Sequence, residues 1–394
     1  MALTLNNFVG FETQGLEEAS ATVGSPTIVT AVNRTGAASI EVGSGDEYSI
    51  PWVASGVTDA GSGYVFGFGL RRNSNVANIQ VLQILDDAGG GIFSVATDTS
   101  GNLIIRDAVA TQLGTATHVL SNDTFYFVVV YAQLNSASAA WEWFVDNVSK
   151  ESGTGADLTD GNAFGSSSSV LRLSSGSTLV MNFDDVYILS GATSAADRFG
   201  NFGILTYQTT DGAQTDLGDM LEDGNWGLVS ETPVNEGVLN DAGYAGTPKA
   251  GGTQTDSGTR LGPSGDSRIT GTPTIKGAKW IHRLKRGTGG GSTHQKRYGN
   301  SGDGMTDTTV TLTTSYANFF TLSEAGTIVP TASEYFQQGF NVTGAQDITC
   351  AEIWAMLGFV PGSAYTDAMA SAFETQHVPA LHLRGWKAVG YDNG

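Results

Sequence analysis

Apolar residues in this chain recur with a period of two, in short runs separated by glycine-rich turns. Tyr64, Phe66, Phe68 and Leu70 alternate with Val65, Gly67, Gly69 and Arg71, the pattern of an extended strand whose side chains point to opposite faces. Similar runs follow at 78–85, 91–97 and 102–108, with Asp-Ala-Gly-Gly-Gly at 87–91 and Thr-Ser-Gly-Asn at 99–102 as the turns between them. The run at 125–131, FYFVVVY, is apolar on both faces and belongs in the middle of a sandwich. In the next run Trp141, Trp143 and Val145 share one face, and Glu142 and Asp146 the other. The alternation of LVMNFDDVYIL (179–189) breaks at Asp184–Asp185, where a bulge or bend is expected. Glycine fills 53 positions without a Gly-X-Y period, which fits many tight turns and excludes collagen. The fold class is all-β.

Two β-sandwich domains account for the length of 394 residues. The first covers 1–190, a linker covers 191–198, and the second covers 199–361. Within a softer stretch that reaches about residue 260, strand-like pieces persist at 202–208 and 225–230. Strong patterns resume with TIKGAKWIHRLKRG, TTVTLTT and ANFFTLS. Short helices are expected only near the C-terminus. Thr349 and Glu352 form a capping box, CAEIWAML reads as the helical body and Gly358 as its stop, with a second helical piece at 366–377. The segment 362–394 carries Leu381, Leu383, Trp386 and Tyr391, too much apolar surface for a free tail, so it is expected to dock, on its own second domain or on another molecule.

Nineteen basic residues against 39 acidic ones give a net charge of −20, which opposes binding to nucleic acid. No apolar run approaches the roughly 18 residues of a membrane span, and the start MALTLNNFVGFET lacks a signal-peptide pattern. A membrane partner is therefore not expected, and synthesis in a cytoplasm is. Cys350 stands alone, so neither a disulfide framework nor a cysteine-built zinc site can form.

The motifs of common enzymes are missing. No glutamate has an aspartate two residues later, the spacing of one sandwich-type glycosidase, although Glu142 and Asp146 share a strand face beside two tryptophans. That face reads either as a solvated outer surface or as a sugar-binding strip. The histidines show no metalloprotease spacing, no glycine precedes a lysine as a P-loop requires, and no Gly-x-Ser-x-Gly elbow occurs. No enzymatic activity and no cofactor are expected. Calcium could be held by Asp86–Asp87, by Asp157 with Asp160 and Asn162, or by Asp184–Asp185, none in a loop pattern that specifies it, so the metal question stays open.

Charge inverts at one place. Lys276, Lys279, Arg283, Lys285, Arg286, Lys296 and Arg297 follow one another with no acidic residue between them. Strand alternation puts Trp280, His282 and Leu284 on one face and Lys279, Ile281, Arg283 and Lys285 on the other, with Lys296 and Arg297 returning across a glycine-rich hairpin. Two readings stand: a hairpin neutralised by nearby carboxylates, or a surface that docks an acidic partner. The docking set comprises Lys279, Arg283, Lys285, Arg286, Lys296 and Arg297, together with Leu383 and Trp386 of the tail.

The order of elements carries a resemblance. NRTGAASIEV at 33–42, the pair DTFYFVVVY and AWEWFVDN, and the closing strand FDDVYIL at 183–189 resemble, in that order, the concanavalin A-like jelly rolls of laminin-G type. FGILTYQTT, NWGLVSETPVN, KGAKWIHRLKRG and ITCAEIWAMLGFV are similar to the domain that follows such jelly rolls in virion proteins of tailed bacteriophages. The resemblance covers residues 1–190 and 199–361. It implies a structural component of a phage particle: a capsid decoration, neck or tail appendage. Its partners would be other virion proteins and copies of itself, and its location the virion. A carbohydrate-binding attachment protein for host glycan is the alternative, and a glycoside hydrolase a more distant one. Far-UV circular dichroism should accordingly be dominated by strand, with helix far below the one-third or so of an average globular protein.

Overall fold

The computed structural model describes residues 3–11, 16, 18–36, 38–51, 63–86, 89–135, 138–158, 170–176, 179–208, 253–256, 272–286, 293–300, 302–315, 317–324, 329–331, 336–341 and 348–362. In chain order the first strands are β1 (Thr4–Val9), β2 (Ala21–Val23), β3 (Thr27–Val29), β4 (Ser39–Val42), β5 (Glu47–Pro51), β6 (Gly63–Arg72) and β7 (Gln80–Leu85). Next come β8 (Gly91–Thr97), β9 (Leu103–Arg106), β10 (Tyr126–Gln133), β11 (Ala139–Val145), β12 (Val148–Ala156), β13 (Val170–Ser174) and β14 (Met181–Ala192). After a 3-10 turn at Ala195–Asp197 follow β15 (Gly203–Gln208), β16 (Thr253–Asp256), β17 (Thr274–Arg286) and β18 (Thr293–Asn300). The last are β19 (Gly304–Thr311), β20 (Ala317–Glu324), β21 (Phe336–Asn341) and β22 (Ile348–Val360).

These strands form four antiparallel sheets. An eight-stranded sheet runs β12-β11-β10-β6-β14-β4-β3, with β1 also on β14, and a six-stranded sheet runs β2-β5-β13-β7-β8-β9. The third sheet is β15-β22-β17-β20 and the fourth β16-β21-β18-β19. Three apolar layers separate them. Between the six- and eight-stranded sheets lie Tyr48, Ile84 and Phe93 from one side and Phe66, Val130 and Trp143 from the other. The opposite face of the eight-stranded sheet packs Phe8, Phe127, Val129 and Tyr187 against Phe202, Ile204, Ile281 and Met356 of the third sheet and its approach. Trp280, Leu357 and Phe359 of the third sheet then meet Tyr298 of the fourth. The described residues thus form a pair of β-sandwiches stacked face to face.

This stacking explains the run at 125–131. Val128 and Val130 enter one core while Phe127 and Val129 enter the next. It also overturns the helix expected at 349–358. Ile348–Val360 is β22, paired along β17 from Thr274↔Val360 to Arg286↔Ile348. Ala355, Leu357 and Phe359 face the fourth sheet and Met356 faces the first sandwich, so the strand is apolar on both sides. Gly358 is no helix stop. A Cβ there would lie 2.3 Å from the Phe202 ring, so the missing side chain lets the two sandwiches close. The helical piece expected at 366–377 lies outside the described residues.

The sandwiches are joined through the bulge at Asp184–Asp185. Along β14, β4 pairs with Met181–Phe183 and β1 with Val186–Ser190. The two aspartates fall at the handover, where the register to β6 also shifts and Asp185 takes φ 50°. Asp184 Oδ2 accepts the backbone N–H of Arg34 at 2.7 Å and of Thr35 at 3.1 Å. Asp185 is fully buried and accepts from Arg34 Nη1 at 2.6 Å, from the Thr35 hydroxyl and from Ile204 N at 2.8 Å. Arg34 also donates to the Phe202 carbonyl at 2.7 Å and lies over the Phe127 ring. Burial pushes the Asp185 carboxyl up, while Arg34, Thr35 and Ile204 pull it down. A second tie is the buried Lys279 ammonium, which pairs with Glu18 and donates to the Phe8 carbonyl at 2.7 Å. Between the third and fourth sheets, Lys296 donates to the Phe320 carbonyl at 2.8 Å.

Asp185→Ala should lower stability by about 3–5 kcal/mol in urea unfolding, because it strands the Arg34 charge in the interior. Lys296 generates a pH signature. Its burial lowers the ammonium pKa from 10.5 to about 8, so between those values the unfolded chain holds a proton that the folded one has released. Stability should therefore rise with pH across that window and be flat in this contribution below about pH 8. Lys296→Met should remove the rise when urea midpoints are compared from pH 7 to pH 10.

Candidate functional site

The acidic groups singled out in the sequence are largely engaged in structure. Trp141 and Trp143 are buried in the first sandwich, and Glu142 on the opposite face accepts the Ser149 hydroxyl at 2.7 Å. Asp146 and Asn147, both at positive φ, turn the chain from β11 into β12, and the Asp146 carboxylate accepts Phe127 N at 2.8 Å. Of the calcium candidates, Asp184 and Asp185 face N–H and O–H donors, the wrong surroundings for a cation. Asp86 closes its own turn by accepting Gly90 N at 2.6 Å. Asp87, Asp160 and Asn162 lie outside the described residues. Among those described, no three His, Cys, Asp or Glu side chains gather around a point that could hold a metal.

The basic run does not form one exposed hairpin face. β17 and β18 do not pair: they occupy the centres of the third and fourth sheets. Lys279 is 4% exposed and serves the joint between sandwiches, and Lys296 is 4% exposed and ties two sheets. The expected alternation is present at Trp280 and Ile281, which enter different cores, and the register along β22 shifts between Arg283 and Leu284. The face that carries Lys279 meets the first sandwich of the same chain. Arg283, Lys285 and Arg286 are placed by their backbones opposite Glu352, Thr349 and Ile348, and Arg297 opposite Asp307. Leu383 and Trp386 lie outside the described residues.

A cleft of about 540 Å³ opens at the rim of the first sandwich, lined by the turn 45–47, residues 78–80, Arg106, Ser174 and Gly176. Its volume lies within the usual range for small-molecule sites. Register sets its walls: Glu47 stands opposite Ser174 across β5 and β13, and Arg106 opposite Ser94 across β9 and β8. Gly45 N donates to the Gly176 carbonyl at 2.7 Å, and both residues are at positive φ, which brings two turns together. Asp46 accepts Ser25 N at 2.9 Å and Gly43 N at 3.2 Å, and Glu47 pairs with Arg172 at 3.3 Å. Ser174 donates to the Gln80 carbonyl at 3.1 Å, and Arg106 Nη2 to the Thr97 carbonyl at 3.1 Å. Ile79 is buried beneath. Sequence reasoning passes over the cleft because its residues come from separate turns and strand ends between Gly45 and Gly176, and Gly-Ser-Gly-Asp at 43–46 reads as an ordinary turn.

No protein-family model and no curated protein match the chain. Among solved structures it is similar to the cellulose-induced protein Cip1, at 13% identity and a TM-score of 0.35 over 48% of this chain and 97% of that one. A carbohydrate esterase from the Shiga toxin-encoding bacteriophage phi24B gives 12% identity and a TM-score of 0.37, covering 48% of this chain and 100% of the other. Lectin I from Ulex europaeus, in complex with the methyl glycoside of α-L-fucose, gives 10% identity and 0.34, covering 48% and 97%. At such scores these likenesses carry no argument about function, and the β-sandwich architecture stands on the sheets described above.

Proposed function

We propose that this chain is a non-enzymatic structural component of a tailed-phage particle, a capsid decoration, neck or tail appendage that acts through protein–protein contacts in symmetric copies. The observation that carries this reading is the joining of the two sandwiches by groups that are charged and buried. The Arg34–Asp185 pair of the first sandwich reaches the second through the Phe202 carbonyl and Ile204 N, and Lys279 of the second pairs with Glu18 of the first. Such pairs cost desolvation and give little net stability, but they fix one relative orientation. A particle part needs that rigidity. The phage assignment itself rests on the order of sequence elements in the two halves. Mass spectrometry of purified particles should find the chain at a fixed ratio to the shell protein, and particles complete without it would overturn the proposal.

A second reading, attachment to a host glycan, is favoured by the rim cleft, whose Asn78, Gln80 and Ser174 are suited to sugar hydroxyls. On this reading a glycan array should show saturable binding to one sugar class, and a blank array would remove it.

A further inference from the structure

We propose that the rim cleft takes an acidic saccharide, with the Arg106 guanidinium anchoring the sugar carboxylate. This rests on the glycan-attachment reading and names its ligand class and its anchor.

Around the first sandwich, arginines have carboxylate or carbonyl partners: Arg34 has Asp185, Arg71 has Asp123, Arg172 has Glu47, and Arg72 is spent on the carbonyls of Gly101 and Leu120. Arg106 is half-buried, makes one hydrogen bond to the Thr97 carbonyl, and has no carboxylate within ion-pair distance among the described residues. Five N–H donors in a planar fork leave most of its capacity for a ligand, in the geometry that matches a carboxylate. The acids beside it are already engaged. Asp46 receives two backbone N–H groups, and Glu47 faces Arg172. The cleft therefore sets Arg106, a cation without an ion-pair partner among the described residues, beside Glu47, which is paired with Arg172, and Asp46, whose charge is held by two backbone N–H groups. A concave wall strengthens the pull of such a cation on an anion.

The remaining lining decides between anions. Asn78 and Gln80 are exposed and present amide groups that both donate and accept, and Ser174, while donating to Gln80, keeps its lone pairs. A bare phosphate would satisfy Arg106 and leave these groups idle, whereas a neutral sugar would use them and leave Arg106 without its anion. A carboxylate-bearing sugar uses both. Arg106 stands at the end of β9 and the other groups on strand ends or bonded turns, so the site is formed before the ligand arrives.

The test measures binding of the full chain to sialyllactose and to oligogalacturonate, with lactose and methyl-esterified oligogalacturonate as uncharged counterparts. We expect saturable binding to at least one acidic probe, weakened about tenfold or more both by removal of the carboxylate and by Arg106→Gln, with Arg106→Lys in between. The melting temperature of each variant, compared with wild type, reads folding separately. Equal binding by wild type and Arg106→Gln would overturn the anchor. Binding of a neutral probe with neither acidic one would overturn the acidic class and leave glycan attachment standing. A blank result with all four probes and on the glycan array would overturn both.

Discussion

The architecture hangs on a buried carboxylate at a place where a strand changes partners. β14 leaves β4 and takes up β1 at Asp184–Asp185, and the bulge turns two aspartates toward groups that no regular ladder would reach. Asp184 gathers the main chain of residues 34 and 35, and Asp185 holds Arg34, Thr35 and Ile204. Because Arg34 also caps the Phe202 carbonyl, this cluster sets how the chain enters β15 and hence where the third sheet lies. The connecting segment is pinned as well. Ser194 and Asp197 form a capping box around the 3-10 turn, and Ala195 packs into the core between sandwiches.

Burying two sheets on both faces has consequences along their strands. In β6, Phe66 and Phe68 fill the inner core, while Gly67 and Gly69 on the outer face leave space for the Tyr187 ring and the Arg34 side chain. A Cβ at Gly67 would come within 2.1 Å of Tyr187, so the glycines that look like weak points of the strand are seats for larger groups. The same demand reaches charged residues. Lys279 shares the Ile281 face, opposite Trp280, in a strand that has no solvent-facing side there, and its ammonium is accommodated because Glu18 and the Phe8 carbonyl meet it.

With so many ionisable groups committed to joints and turns, the surface that can recognise a partner is narrower than the composition suggests. A chain at −20 offers acidic side chains widely, yet Asp46, Asp98, Asp146 and Asp197 all accept backbone N–H groups that organise turns. Against that background Arg106 stands out, a cation set in a concave rim with one carbonyl as its partner.

Legible in the residues alone were the strand-forming alternation, the placement of Trp141 and Trp143 on one buried face, the two-faced character of 125–131 and the irregularity at Asp184–Asp185. Each of these follows from local periodicity, which the backbone of a strand imposes residue by residue. Tertiary structure alone decided the rest. A continuous apolar run such as CAEIWAML has no period to separate helix from a strand buried on both sides, and only the neighbouring β17 and β15 made it a strand. Lysine carries the same charge pattern in sequence whether it faces water or Glu18, so the basic run read as one surface although its members belong to two different sheets. The rim cleft could not be read at all, because register and turn-to-turn hydrogen bonds assemble it from residues far apart in the chain, and local sequence holds no record of which distant strand ends will meet.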